Sequence, residues 1–245
     1  MFPGFGTLVN VATVLIGSAI GLLLGHRLPE RTRDTVTDAL GLVTLLIGGL
    51  SAVEVTSAVL SGAVGSSAPV LIVLGALLVG GIVGSLADIE RRLEGLGSWL
   101  QQRFRAGGSQ SRFVEAFVSS SLVFCVGPLT ILGSLSDGLG LGAQQLLLKS
   151  TLDGFAAIAF AASLGVGVMA SALAVGVIQG ALTLIGVLIG DFLPDAHLAA
   201  ITATGGLLLV GVGLRLLKIK SVPVGNLLPA LVVAPLLVQL VVVLR

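Results

Sequence analysis

The chain has 245 residues, 55% of them hydrophobic and 10% charged, with a mean hydropathy of +1.12. A soluble domain carries about 25% charged residues, so most of this chain cannot face water and belongs in a bilayer. The net charge of +1 gives no electrostatic case for nucleic acid, and a single cysteine, Cys125, excludes an internal disulfide or a cysteine-cluster metal site.

A helix needs about 20 mainly apolar residues to cross the hydrocarbon core. That rule predicts spans at Phe5–Gly25, Val36–Val53, Pro69–Ala87 and Phe113–Leu135. The first has no basic residue ahead of it and no small-x-small cleavage site behind it, so it reads as a retained span rather than a signal peptide. Between the third and fourth lies the main water-facing stretch, residues 88–112. Its Leu93, Leu96, Trp99, Leu100 and Phe104 recur at helical spacing among charges, the pattern of an amphipathic helix on the membrane surface. Such a helix serves as a topology anchor or as a docking site.

From Ala143 to Gly190 the chain is apolar for 48 residues. As one helix it would be about 70 Å long, more than twice the core thickness. It must fold back, and Gly165–Ser171 is the weakest helical stretch. Spans at Leu198–Leu217 and Gly225–Leu244 complete a count of eight. The expected fold is all-α, a polytopic membrane helix bundle forming a single transmembrane domain over residues 1–245.

Charge placement tests that count. Arg27, Arg31 and Arg33 follow the first span, Arg91, Arg92, Arg103, Arg105 and Arg112 the third, and Arg215, Lys218 and Lys220 the seventh. Eight helices with an external N-terminus put all of them on the cytoplasmic side. Seven helices would move the last three outward. Both termini are therefore expected outside the cytoplasm.

One internal match stands out. At an offset of 165 residues, IGLLLGHRLPERTRDTVTDALGL (Ile20–Leu42) lies over IGVLIGDFLPDAHLAAITATGGL (Ile185–Leu207) without a gap. Gly21, Gly25, Leu28, Pro29, Thr37 and Gly41 meet identical residues, and Glu30 meets Asp195. Helices one and two thus match helices six and seven. An offset of five spans inverts the second copy, and the arginines of the first become Phe192, Ala196 and Leu198. Inverted repeats are common in secondary transporters and also occur in channels; a duplication kept for packing reads the same way. Gly17-x-x-x-Gly21-x-x-x-Gly25, Gly80-x-x-x-Gly84 and Gly186-x-x-x-Gly190 are small-xxx-small faces, suited to internal packing or to a homodimer.

The most polar intramembrane stretch runs from Ser119 to Gly154. Pro128 should break or kink the fourth helix and free backbone carbonyls. Asp137 sits in SDGLGLG, read either as a re-entrant turn or as an external loop. Asn226, ahead of Pro229 and Pro235, repeats the broken-helix pattern that marks binding sites in transporters. Lys149 and Asp153 share a helix face one turn apart. Lysine can snorkel to the interface, whereas an aspartate near the bilayer centre costs about 2.5–3.5 kcal/mol. An exposed one-turn pair returns only about 0.2–0.5 kcal/mol, so Asp153 should face a cavity or the bundle interior. Ser119, Ser120, Ser121, Thr130, Asn10 and Gln179 read as interhelical hydrogen-bonding or pore-lining groups. His26 and His197 lack a partner at metal-ligand spacing. No P-loop, dinucleotide fingerprint, HExxH or GxSxG is present, so neither an enzyme nor a cofactor is expected.

GTLVNVATVLIGSAIGLLLG followed by LPER, then SLADIERRLEGLG, FCVGPLTILGSLSDGL, LLLKSTLDG and VGNLLPAL, resembles the YqgA/YdfK-like family of bacterial multi-pass membrane proteins, a domain-of-unknown-function family. The resemblance covers nearly the whole chain. It implies a bacterial inner-membrane location and a shared fold, and brings no substrate or residue roles. The residues themselves point to a secondary transporter or permease for a small ion or polar solute. Its site would comprise Asp153, Lys149, Asp137, Pro128, Asn226 and Ser120. The alternative is a membrane scaffold or partner subunit acting through residues 88–112. The expected partners are the bilayer and that solute.

Overall fold

A computed structural model describes residues 2–25, 29–92, 110–125, 128–140, 142–189 and 194–244, with single positions at 95, 99 and 102. All regular elements among the described residues are helical. In chain order these are α1 (Phe5–Gly25), α2 (Glu30–Ala52, continued by a 3-10 turn Val53–Thr56), α3 (Ala58–Val64), α4 (Ala68–Leu86), α5 (Gln110–Cys125) and α6 (Pro128–Gly138). There follow α7 (Gln144–Leu164), α8 (Gly167–Ile189), α9 (Asp195–Leu216), α10 (Val224–Leu227) and α11 (Ala230–Leu244). Seven stretches among the described residues are long and apolar enough to cross a bilayer, and α5 with α6, bent by 75°, makes an eighth when counted as one span.

The local chemistry explains most boundaries. Ser57 caps α3, its Oγ accepting the Leu60 N–H at 3.3 Å. Pro69 stands in the first turn of α4, where its missing N–H costs nothing. The long apolar block folds back at Gly165, whose φ of +96° few other residues adopt, so α7 ends at Leu164 and α8 starts at Gly167. Both Leu-Pro-acid turns open helices. The Pro29 carbonyl accepts the Thr32 N–H, and the Pro194 carbonyl accepts those of His197 and Leu198.

One expectation holds and one changes. The span predicted over Phe113–Leu135 is broken into two helices where Pro128 is expected to interrupt it, because proline fixes φ and has no N–H to continue the α5 ladder. Thr130 Oγ1 donates to the Phe124 carbonyl at 3.2 Å, satisfying an acceptor that the break frees. Asp137, expected in a turn or loop, lies in the last helical turn of α6. In the predicted amphipathic segment Trp99 is exposed, while Leu93, Leu96, Leu100 and Phe104 lie outside the described residues.

The chain forms two compact units, Met1–Leu40 with Glu94–Phe192, and Gly41–Leu93 with Leu193–Arg245. The boundary falls within α2. In the first unit α1 and α7 run side by side in the same direction, Gly17 on Gly154, Gly21 on Ile158 and Gly25 on Ala162. A β-carbon on Gly17 or Gly21 would overlap the facing carbonyl, and only glycine permits this approach. α8 runs the opposite way along α1, with Val11 against Gly176 and Thr7 Oγ1 3.4 Å from Thr183 Oγ1. α5 enters at one end of this unit, where Phe113 meets Gly167 at the start of α8. α6 finishes at the other end, beside Gly4 and Gly6. The bent pair therefore traverses the unit as one broken span.

The second unit packs Leu60 and Val64 of α3 and Ile72 and Ala76 of α4 with alanines of α9 and α11. Gly80 lies on Ala230 and Gly84 on Asn226, so α4 is antiparallel to α10 and α11. The C-terminal half of α2 is antiparallel to α9, Gly41 meeting Gly213 and Leu217, and Gly48 meeting Gly206. The faces of Gly17, Gly21, Gly25, Gly80, Gly84 and Gly186 are thus used within their own units. Gly84→Val puts a side chain onto the Asn226 backbone, and is expected to cost about 1–3 kcal/mol, read as earlier unfolding in detergent. Unfolding unchanged from wild type would contradict this packing.

Candidate membrane-embedded ion site

Lys149, Ser150, Asp153 and Ala157 form the buried face of α7. Asp153 lies nine residues into that helix, about 14 Å along its axis, near the middle of a core about 30 Å thick. Lys149 Nζ donates to both Asp153 oxygens, at 2.8 Å to Oδ1 and 2.7 Å to Oδ2. Asn10 of α1 donates its Nδ2 to Asp153 Oδ2 at 2.9 Å. The two charged residues are 7% and 6% exposed and Asn10 is wholly buried. Sequence spacing allows Lys149 to snorkel outward. Instead its ammonium turns onto Asp153, since a buried carboxylate without a counter-charge costs far more than an extended lysine gains.

The site is made by the close glycine contacts. With α1 and α7 separated by little more than backbone, Asn10 comes within hydrogen-bonding reach of a carboxylate one helix away. Gln179 of α8 belongs to the same neighbourhood by register. It is one turn from both Gly176 and Thr183, the positions that meet Val11 and Thr7 on α1. Gln179 is wholly buried, and both its amide atoms and Asn10 Oδ1 lack hydrogen-bond partners among the described residues. Buried polar atoms without partners are rare, and each calls for an explanation.

The other predicted site residues go elsewhere. Asp137 Oδ2 accepts the Gly4 and Gly6 N–H groups at 3.1 and 3.0 Å, so it caps the start of α1. Ser120 is buried and donates to the Ala116 carbonyl of its own helix at 2.6 Å. Pro128 opens α6, and its side chain lies outside the described residues. Asn226 belongs to the second unit, its Oδ1 accepting the Glu90 N–H at 2.8 Å. Glu90 in turn accepts from Arg215 at 2.9 Å and from the Gly225 N–H at 2.6 Å, forming a separate charged cluster. In the sequence Glu90 sits among loop charges, where nothing in spacing sets one carboxylate apart.

Among the described residues no group of three or more His, Cys, Asp or Glu side chains gathers to hold a metal ion. A groove of about 680 Å³ in the first unit is lined by Val11, Leu15, Phe113, Met169, Leu173 and Gly176 among others, an apolar wall that suits hydrocarbon better than a polar solute.

These helices define an α-helical multi-pass membrane protein with an ion pair buried inside one unit. The chain belongs to the family described as "Protein of unknown function (DUF554)", which it matches over residues 5–239. It is 33% identical over 232 residues to "Uncharacterized protein YqgA" of Escherichia coli (strain K12), covering 94% of each chain. It is 29% identical over 234 residues to "Uncharacterized membrane protein YdfK" of Bacillus subtilis (strain 168), covering 96% of this chain and 95% of that one. No solved structure matches it.

Proposed function

We propose that the protein is a secondary transporter or passive permease of the bacterial inner membrane, moving a small ion or polar solute, with both termini outside the cytoplasm. The observation that carries this reading is Asp153, an ionisable side chain near the middle of α7 whose hydrogen-bond partners are Lys149 and Asn10. Intramembrane ionisable residues are expensive and mark ion pathways and proton relays.

The duplicated segments support it. At the offset of 165 residues α1 corresponds to α8 and α2 to α9. Val11 and Gly176 are then equivalent positions, and they touch each other. Exchanging copies turns the pair Gly41–Gly213 into Gly206–Gly48 and the pair Gly41–Leu217 into Gly206–Ala52, and these contacts are present as well. Within each unit, contacts that map onto themselves are what two antiparallel copies of one helix produce. Such a pair can exchange conformations to give outward- and inward-open states. Each compact unit holds one helix from each copy, α1 and α8 in the first, the C-terminal half of α2 and α9 in the second.

The test is solute flux into liposomes containing purified protein, over a panel of inorganic ions and small polar metabolites. Protein-dependent flux of at least one solute is expected. Absence of flux across the panel, with a partner co-purifying through residues 88–112, would replace this reading with the scaffold.

A further inference from the structure

Building on the transport reading, we infer that Lys149 is a tethered competitor for a monovalent alkali-cation site formed by Asp153, Asn10 and Gln179. The Lys149 ammonium occupies the position a cation would take, donating to both oxygens of Asp153 at 2.8 and 2.7 Å. Buried amide oxygens on the two helices packed with α7, α1 and α8, are left unused among the described residues. Asn10 spends its Nδ2 on Asp153 Oδ2 and keeps a wholly buried Oδ1 without a partner among the described residues. Gln179, also wholly buried, has neither amide atom paired among the described residues and lies one turn from Gly176 and Thr183, on the α8 face turned to α1. Two carboxylate oxygens and two amide oxygens are hard ligands of the kind alkali cations accept, while transition metals favour nitrogen and sulfur.

Charge selects the valence. The cluster holds one carboxylate, and the charged or titratable groups on the helices packed with α7 in this unit include Cys125 on α5 and Asp137 on α6, the latter engaged at the start of α1. A monovalent ion in place of the ammonium keeps Asp153 neutralised, whereas a divalent ion would leave an uncompensated charge in a low-dielectric site. Exchange balances if the ion enters as Lys149 withdraws toward the interface, or as its ammonium gives one proton to water and stays as the neutral amine.

Lys149→Met is therefore expected to tighten cation binding, not to lose it. Cys125 supplies the readout: it is the chain's one cysteine and is buried, so a fluorogenic thiol dye reports unfolding. Purified full-length protein in detergent is titrated with lithium, sodium, potassium and rubidium chlorides against choline chloride at constant ionic strength. Wild type should show a saturable rise in unfolding temperature with one or two of these ions. Lys149→Met should lower the half-saturating concentration at least tenfold, Asn10→Ala should raise it about tenfold, and Asp153→Asn should abolish the response. Should Lys149→Met alone fold poorly, stability restored by the same cation and not by choline gives the same answer. No specific response in wild type and Lys149→Met, or weaker binding in Lys149→Met, overturns the inference. Liposome flux of another solute with no cation binding sinks this inference and leaves the transport reading standing. Cation binding with Lys149 competition but no flux does the reverse.

Discussion

Asp153→Asn should lower the stability of the protein by about 3–5 kcal/mol, the range for removing one partner of a buried ion pair. The loss comes from what stays behind. Lys149 is 7% exposed, and without the carboxylate its ammonium faces a neutral amide in an apolar surround. Asn10 loses the acceptor for its Nδ2 as well. The double variant Lys149→Met/Asp153→Asn removes both charges together and should recover most of that stability, since apolar replacements of buried pairs are often neutral. Denaturant unfolding in detergent, followed at Cys125, measures both. Equal stability of single and double variants would show that Lys149 is satisfied without Asp153.

Gly21→Leu should cost about 3 kcal/mol, the upper part of the range for overpacking. A side chain there meets the Ile158 carbonyl, and the neighbouring contacts at Gly17 and Gly25 are backbone-close too. α1 cannot shift locally to make room and must separate from α7. Gly21 is eleven residues from Asn10, about 16 Å along the helix, yet the separation would draw Asn10 away from Asp153. Loss of cation response together with lowered unfolding temperature is the expected signature. A variant that unfolds early but keeps wild-type cation affinity would show that the α1–α7 seam does not set the site.

Much of this fold is legible in the residues. Hydropathy places α1 at its observed ends, glycine marks the fold-back at Gly165, and the two Leu-Pro-acid turns open α2 and α9. Pro128 signals the break in the fourth span, though the 75° bend depends on what α5 and α6 pack against. The site is less legible. Lys149 and Asp153 announce themselves because two charges in a long apolar run need a reason. Asn10 and Gln179 look like any polar residue in a membrane helix until the register of α1 against α7 and α8 is known. That register is set by glycines far away in sequence. Asp137 misleads for a related reason: its partners are two backbone N–H groups at the start of the chain, 133 and 131 residues away, and no side-chain pattern records them. Asn226 resembles an intramembrane ligand beside two prolines, but α10 carries it to Glu90 in the other unit.

Solute flux through the double variant Lys149→Met/Asp153→Asn tests the central claim most directly, because its charge loss is separated from its folding. Wild type and double variant are reconstituted at equal protein density into liposomes, and uptake of the solute that wild type moves is compared. The account predicts flux in wild type and none above empty liposomes in the double variant, with the two proteins unfolding at similar temperatures. Equal flux from both would show that Asp153 and Lys149 only hold helices together.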